Sequence, residues 1–407
     1  MIQNKIKIYS IKNFLLQCIA FTLPLNKNLV PLLIVFTIII WLVEGNFREK
    51  IQALKSKFFL LAILLYLWHL IGMLYTTNFK AGGFDLEQKL SLLILPLLFF
   101  SESHVNNLQS LKILKSFVVG CVLAGLICLA NAALKYYISG DIEGMFYTQF
   151  SPIMHTSYFA MYLCFAIILI LFNDGIMQNQ ILKIATVLYL TLPIVLSSSK
   201  SGLFSLGLII LAKLMYDIFI KKSYLRVLLF SSLLIVTALL MYIVFPKAFE
   251  RVKEMNQTIT SSKSEVNTST SRIAIWKLSS TIISNNYLVG VGTGDVKDAL
   301  NSAYEKQTIA ELAEKKLNAH NQYLQTFMAL GLPGILILLS LLGVVAYFTW
   351  SNKMLDGALL TAIIAFNLLF ESMLETQAGV VFIAFFLMYY FSLATNNFRL
   401  KNLTIAP

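Results

Sequence analysis

The chain has 407 residues, 58% of them hydrophobic and 13% charged, with a mean hydropathy of +0.75. Soluble domains lie nearer ~45–50% apolar and ~25% charged, so this composition excludes an ordinary soluble fold and predicts an all-α polytopic membrane protein. The net charge of +12 does not require a nucleic-acid partner, because excess Lys and Arg in a membrane protein ordinarily anchor its cytoplasmic loops.

Apolar stretches of roughly 17–25 residues are long enough to cross a ~30 Å hydrocarbon core as helix. In chain order they predict about twelve transmembrane helices, over residues 12–25, 28–45, 57–75, 88–101, 113–137, 151–172, 181–198, 201–220, 224–245, 323–350, 355–374 and 377–395. The first stretch follows Lys5, Lys7 and Lys12 and lacks the small-residue site of a cleaved leader. Cys18, Cys121, Cys128 and Cys164 all fall inside apolar segments, which reads as buried packing and not as a disulfide or metal framework.

Charge orients these helices. With a cytoplasmic N-terminus, the inner segments collect sixteen Lys and Arg residues, from Lys5, Lys7 and Lys12 through Arg48, Lys112, Lys183, Arg226 and Lys353 to Arg399 and Lys401. The short outer connections hold five: Lys27, Lys80, Lys89, Lys135 and Lys200. That bias predicts both termini in the cytoplasm. The order is then a bundle of about nine helices over 1–245, a long polar outer loop over 246–322, and about three helices over 323–407.

The loop has three parts. Residues 257–271 are Ser/Thr-rich and aperiodic. Residues 272–289 read as an amphipathic helix that sets Ile273, Trp276 and Ile283 against membrane or neighbouring helices. Residues 298–318 suit a second helix with Leu300, Ala303, Leu312 and Leu317 on its apolar side, and Gly290, Gly292 and Gly294 turn the chain between the two. No strand precedes those glycines, so a structural turn is preferred to a nucleotide-binding fingerprint.

Candidate chemical groups gather on the predicted outer face, where polar groups of a membrane protein mark function. His320, followed by Asn321 at the lip of a helix, reads either as a capping residue or as a base, since an imidazole can take a proton from a hydroxyl at neutral pH. Arg272 and Lys200 are cations with no acidic neighbour in sequence. Either they are solvated or snorkelling charges, or they hold an anion such as a pyrophosphate together with helix N-terminal amides. His155 is open between a packing residue and a site member. His69 and His104 read as structural, and Glu371 and Glu375 as acids able to orient a histidine or an arginine. No spacing typical of a metal site occurs on this face.

These residues fall into a known order. Ser197-Ser-Ser-Lys200-Ser-Gly202, Ser271-Arg272-x-x-x-Trp276, Gly290-x-Gly292-x-Gly294, and His320-Asn321-x-Tyr323-Leu324-Gln325 ahead of Gly331-Leu-Pro-Gly334 resemble the O-antigen ligase/polymerase family of bacterial inner-membrane glycosyltransferases. The segment Glu371-Ser-Met-Leu-Glu375-Thr-Gln-Ala-Gly379 is similar to the family's late segment, and the resemblance covers about 150–390.

The resemblance implies a GT-C-like fold with a periplasmic loop, no cofactor and no metal, and inverting transfer of a glycan from undecaprenyl pyrophosphate. A ligase would pass the glycan to a sugar hydroxyl of lipid A–core, and a polymerase would pass it to another lipid-linked repeat. His320 would be the base or acceptor-positioning group, and Arg272 and Lys200 the pyrophosphate cations. Asn321, Trp276, Glu375 and His155 would stand in support. The family usually carries arginine where this chain has Lys200, and lysine lacks the planar fork that grips a phosphate at two points. A transporter or flippase is the alternative from another class; it would show inverted repeats and charged midplane helices.

Overall fold

A computed structural model describes residues 2–101, 107–140, 145–225, 227, 228, 231, 232, 235, 236, 239, 268–306 and 317–405. Every regular element among them is helical. In chain order these are α1 (Ile2–Thr22), α2 (Leu29–Val43), α3 (Phe47–Leu54), α4 (Lys57–Gly72), α5 (Phe79–Lys89), α6 (Ser91–Phe100), α7 (Asn107–Ser139) and α8 (Thr156–Phe172). They are followed by α9 (Gln180–Leu196), α10 (Lys200–Met215), α11 (Thr268–Asn285), α12 (Val296–Lys306), α13 (Gln322–Ser351), α14 (Leu355–Asn367) and α15 (Gln377–Ile405).

Five of the described helices are long and apolar enough to cross a membrane, or six if one bent pair counts as a single span. Thr156–Phe172, Gln180–Leu196 and Leu355–Asn367 are shorter apolar helices. Most of the expected span 224–245, together with His104 and residues 257–267 and 307–316, lies outside the described residues. The expected helix 88–101 differs in kind: a polar helix, α5, precedes it, and the chain breaks at Leu90 before α6.

The chain packs as two compact units, Met1–Glu44 with Asn106–Ser261, and Gly45–Val105 with Ser262–Pro407. Packing therefore does not follow chain order, because residues 45–105 pack with the C-terminal region.

In the first unit α8 is the central helix, buried on all sides from Thr156 to Leu171, as expected of a helix apolar all round. Gly202 of α10 lies so close to α8 that a Cβ there would clash with the Ala160 Cβ. At the far ends the rings of Phe172 and Tyr216 come within 5.7 Å. The two helices therefore run parallel and start at the same end of the unit.

In the second unit α4 runs antiparallel to α13: Phe58 meets Phe348 at 5.0 Å, and Trp68 Nε1 donates to the Leu330 carbonyl at 3.2 Å. α6 and α15 run parallel, because Lys89 and Glu375 meet just ahead of their first turns and Phe100 meets Phe391 at 5.3 Å further along. The C-terminal end of α4 and the starts of α6, α13 and α15 thus gather at one end, and the polar side chains gather with them.

α13 is broken near its start. Gly331 has φ 64° and ψ −162°, two residues before Pro333, whose ring removes a backbone donor. The glycine turn docks on this break: Val291 N donates to Met328 O at 2.8 Å, Gly292 N to Ala329 O at 3.1 Å, and Leu332 N to Tyr287 O at 2.8 Å. Only glycine permits the approach. A Cβ on Gly290 would fall 2.5 Å from the Ala329 backbone, and one on Gly331 would clash with the Leu288 carbonyl oxygen.

Asp295 closes the same turn. Its carboxylate accepts from Thr77 N at 2.7 Å, Asn78 N at 2.8 Å and Thr77 Oγ1 at 3.1 Å. It thereby serves the first amides ahead of α5, as an anionic cap does. The buried line of α11 is Ile275, Leu278, Ser279 and Ile282, with Ile273 exposed. Ile275 and Ile282 thus carry the packing against the unit, while Trp276 and Ile283 are half-buried.

Candidate active site

The centre of the second unit's polar end is Glu371. Its Oε1 accepts from Arg272 Nη2 at 3.0 Å and its Oε2 faces His320 Nδ1 at 3.3 Å. Glu371 is buried, whereas Arg272 and His320 keep 25% and 28% of their side chains exposed. One carboxylate therefore serves both basic groups while they remain reachable from outside. The Arg272 Nε is buried with no hydrogen-bond partner among the described residues.

Local structure fixes the histidine. His320 has φ +45°, a left-handed conformation that costs an L-residue about 1–3 kcal/mol and persists only where its surroundings impose it. Asn318 Oδ1 accepts from the His320 amide at 3.0 Å, and the preceding Ala319 carbonyl accepts from Trp276 Nε1 at 3.0 Å. Asn321 then caps α13 by accepting from Leu324 N at 3.1 Å, and its own amide donates to Ser372 Oγ at 3.2 Å. Asn321 and Trp276 thus shape the backbone on which the imidazole stands. With Nδ1 turned to Glu371, Nε2 is the ring nitrogen not held by that carboxylate.

Glu375 lies four residues on but faces elsewhere. It accepts from Lys89 Nζ at 3.1 and 3.2 Å and from Gln322 Nε2 at 3.2 Å. Lys89 also pairs with Asp85, whose other oxygen is 3.5 Å from His69 Nδ1. Lys89 is fully buried and is no outer surface charge. Burial and the neighbouring Glu375 push the Asp85 carboxyl up to about 7. His69, read from sequence as structural, is part of this buried charged cluster. Sequence reasoning missed Lys89, Asp85 and Gln322 here; the signal was a Lys and an Asp one helical turn apart, directly ahead of an apolar helix.

The other two sequence candidates belong to the first unit. His155 is the N-cap of α8, with Nδ1 accepting from Ser157 N at 3.4 Å. Lys200 is the first residue of α10, capped by Ser199, which accepts from Gly202 N at 3.2 Å. Because α8 and α10 run parallel, both residues lie at the same end of that unit. Ser197, Ser198, Ser199 and Ser201 around Lys200 are buried, and Ser198 has φ +49°.

A helical, multi-span membrane protein that gathers an Arg–Glu–His constellation at one end of its second unit has the construction of an integral-membrane enzyme. Residues 185–339 match the family model described as O-antigen ligase, which supports a place in that family. The match takes in Lys200, Arg272, Trp276, His320 and Asn321 and ends before Glu371. The family is one of ligase-like glycosyltransferases and implies a glycan donor and a glycan acceptor in general. No curated protein matches the chain.

Proposed function

We propose that the protein is an O-antigen ligase-like glycosyltransferase of the bacterial inner membrane. It moves a glycan from undecaprenyl pyrophosphate to a sugar hydroxyl of lipid A–core at the periplasmic face. Both termini are then cytoplasmic, and segment 246–322 is a periplasmic loop between membrane parts 1–245 and 323–407 of a GT-C-like bundle. The observation that carries this reading is the shared carboxylate of Glu371, which aims His320 and holds Arg272 beside it.

The chemistry follows from charge. The acceptor hydroxyl gives its proton to His320 Nε2 as its oxygen attacks the anomeric carbon. The bond from that carbon to the phosphate oxygen breaks, and undecaprenyl pyrophosphate leaves with the electron pair. Arg272, Glu371 and a neutral His320 together carry no net charge; once His320 holds the proton they carry +1. Positive charge thus develops beside the site as the leaving group becomes more anionic, an interaction stronger in the transition state than in the ground state. The exposed part of the Arg272 guanidinium offers donors to a phosphate oxygen. Lys200 lies in the first unit at a helix N-terminus suited to an anion, and the family resemblance implies a pyrophosphate role for it.

A strain lacking the gene and complemented with His320→Ala tests this reading. It should insert the protein normally and accumulate lipid-linked glycan; normal surface glycan would remove His320 as the base. A polymerase of the same family uses the same bond changes. It differs in that its deletion leaves single repeats, whereas a ligase deletion leaves long lipid-linked polymer.

A further inference from the structure

We propose that Lys89 is a positioning residue for glycan transfer, acting through Glu375 and Gln322 to hold Glu371 against His320 and Arg272. This rests on the reading of His320 as the base. Glu371 lies in a short connection between α14 and α15, and α15 starts two residues after Glu375. Within it Glu371 keeps one backbone bond to the end of α14, Glu371 N to Asn367 O at 3.0 Å, and only a single 3-10 turn, Met373–Glu375, follows.

It is fixed from two sides. Gln322 Oε1 accepts from Leu374 N at 2.7 Å, Gln322 N donates to Leu368 O at 2.8 Å, and Ser372 Oγ accepts from Asn321 N at 3.2 Å. These bonds stitch the two residues after His320 to the segment that carries Glu371. Lys89 grips the far end of that segment, donating to both oxygens of Glu375. Gln322 meets the same carboxylate at 3.2 Å, so Lys89, Glu375 and Gln322 form one junction.

The junction is charged although Lys89 is fully buried, and a buried cation is kept only where its partners are specific. It also holds one more carboxylate than it has lysines. Asp85 relieves part of this, because burial and Glu375 push its carboxyl up to about 7, while Lys89 keeps contacts to both oxygens of Glu375. Simple bracing of the bundle would need no polar group at this place, since apolar packing serves as well or better.

A double-mutant cycle on the full-length, membrane-embedded protein tests the proposal. The donor is the lipid-linked glycan extracted from the deletion strain, the acceptor is the host envelope fraction, and the signal is the initial rate of polyprenyl pyrophosphate release. Lys89→Met should lower turnover about 10- to 100-fold, the range for supporting contacts to reactive groups, with the KM for donor unchanged. In a Glu371→Gln background it should add almost nothing, because both changes disable one device. Losses that multiply would overturn the proposal and reduce Lys89 to a brace. If Lys89→Met fails to accumulate in membranes, Glu375→Gln, which keeps the volume and a contact for Gln322, takes its place in the same cycle with the same two outcomes. A fully active His320→Ala would strike the base assignment itself. Full activity in Lys89→Met beside an inactive His320→Ala would overturn only the positioning role.

Discussion

Arg272 and His320 are joined by a single carboxylate, with Glu371 reaching the guanidinium at 3.0 Å and the imidazole at 3.3 Å. The guanidinium and the imidazole are therefore coupled through one side chain, Glu371. Glu371→Gln keeps the shape and an oxygen acceptor but removes the charge that stabilises a protonated imidazole. It should slow glycan transfer about 10- to 100-fold, while His320→Ala should cost about 10²–10⁴-fold, the usual worth of a positioned acid–base group. Rates of glycan appearance on acceptor measure both. Wild-type rates in Glu371→Gln would show that the carboxylate does not support the chemistry.

By the resemblance drawn from sequence, Lys200 stands where the O-antigen ligase family usually has arginine. Lys200→Arg should retain activity, since charge is kept and a planar fork is gained. Lys200→Ala and Lys200→Glu should lose it, most readily detected as accumulated lipid-linked glycan. Full activity in the glutamate variant would take Lys200 out of the phosphate chemistry.

The glycine contact makes a stability prediction. Gly290→Ala and Gly331→Ala should each cost about 1–3 kcal/mol for the left-handed backbone alone, and more once the clash is added. At Gly207 in α10 an added methyl group would meet no atom within 4 Å, so Gly207→Ala should be neutral or slightly stabilising. Thermal denaturation of the three detergent-solubilised variants ranks them; equal melting temperatures would remove the claim that the turn must touch α13.

Asp85 makes stability depend on pH. Its folded value of about 7 lies above the ordinary 3.8, so between these values the folded protein holds a proton that the unfolded chain has released. Stability from this group is therefore present at low pH and declines as pH rises towards about 7. Glu375, which burial alone would raise but which Lys89 holds below its ordinary 4.5, works in the opposite sense but only under that value. Asp85→Asn should flatten the slope of thermal stability between pH 5 and pH 7, a window set by the Asp85 shift; an unchanged slope would place the titration elsewhere.

Much of the candidate site was legible because its signals are local. Arg272, Trp276, His320, Asn321 and the glycine turn are short motifs in a polar stretch, and a sequence shows such stretches directly. The partners were not legible, since Arg272 meets Glu371 across 99 residues and His320 meets it across 51. Glu371 and Glu375 looked alike as helix-end acids, and only packing assigns one to His320 and the other to Lys89. α5 escaped hydropathy because FKAGGFDLEQK carries two glycines and four charges; its first turn is held by Asn78, which accepts from Ala81 N, and by Asp295 from a distant turn. Lys89 read as a surface charge because position in a connection says nothing of depth.

The long reach from Lys89 to Glu375 also sets a timetable for biogenesis. The two are 286 residues apart in the chain, which a ribosome working at ~5–20 residues per second takes about 15–60 s to cover. For that interval Asp85, one turn away, is the ion-pair partner already present for the lysine. Residues 45–105 reach the bilayer before the helices they pack against have been made. The Lys89–Glu375 junction can therefore close only after α14 has been made.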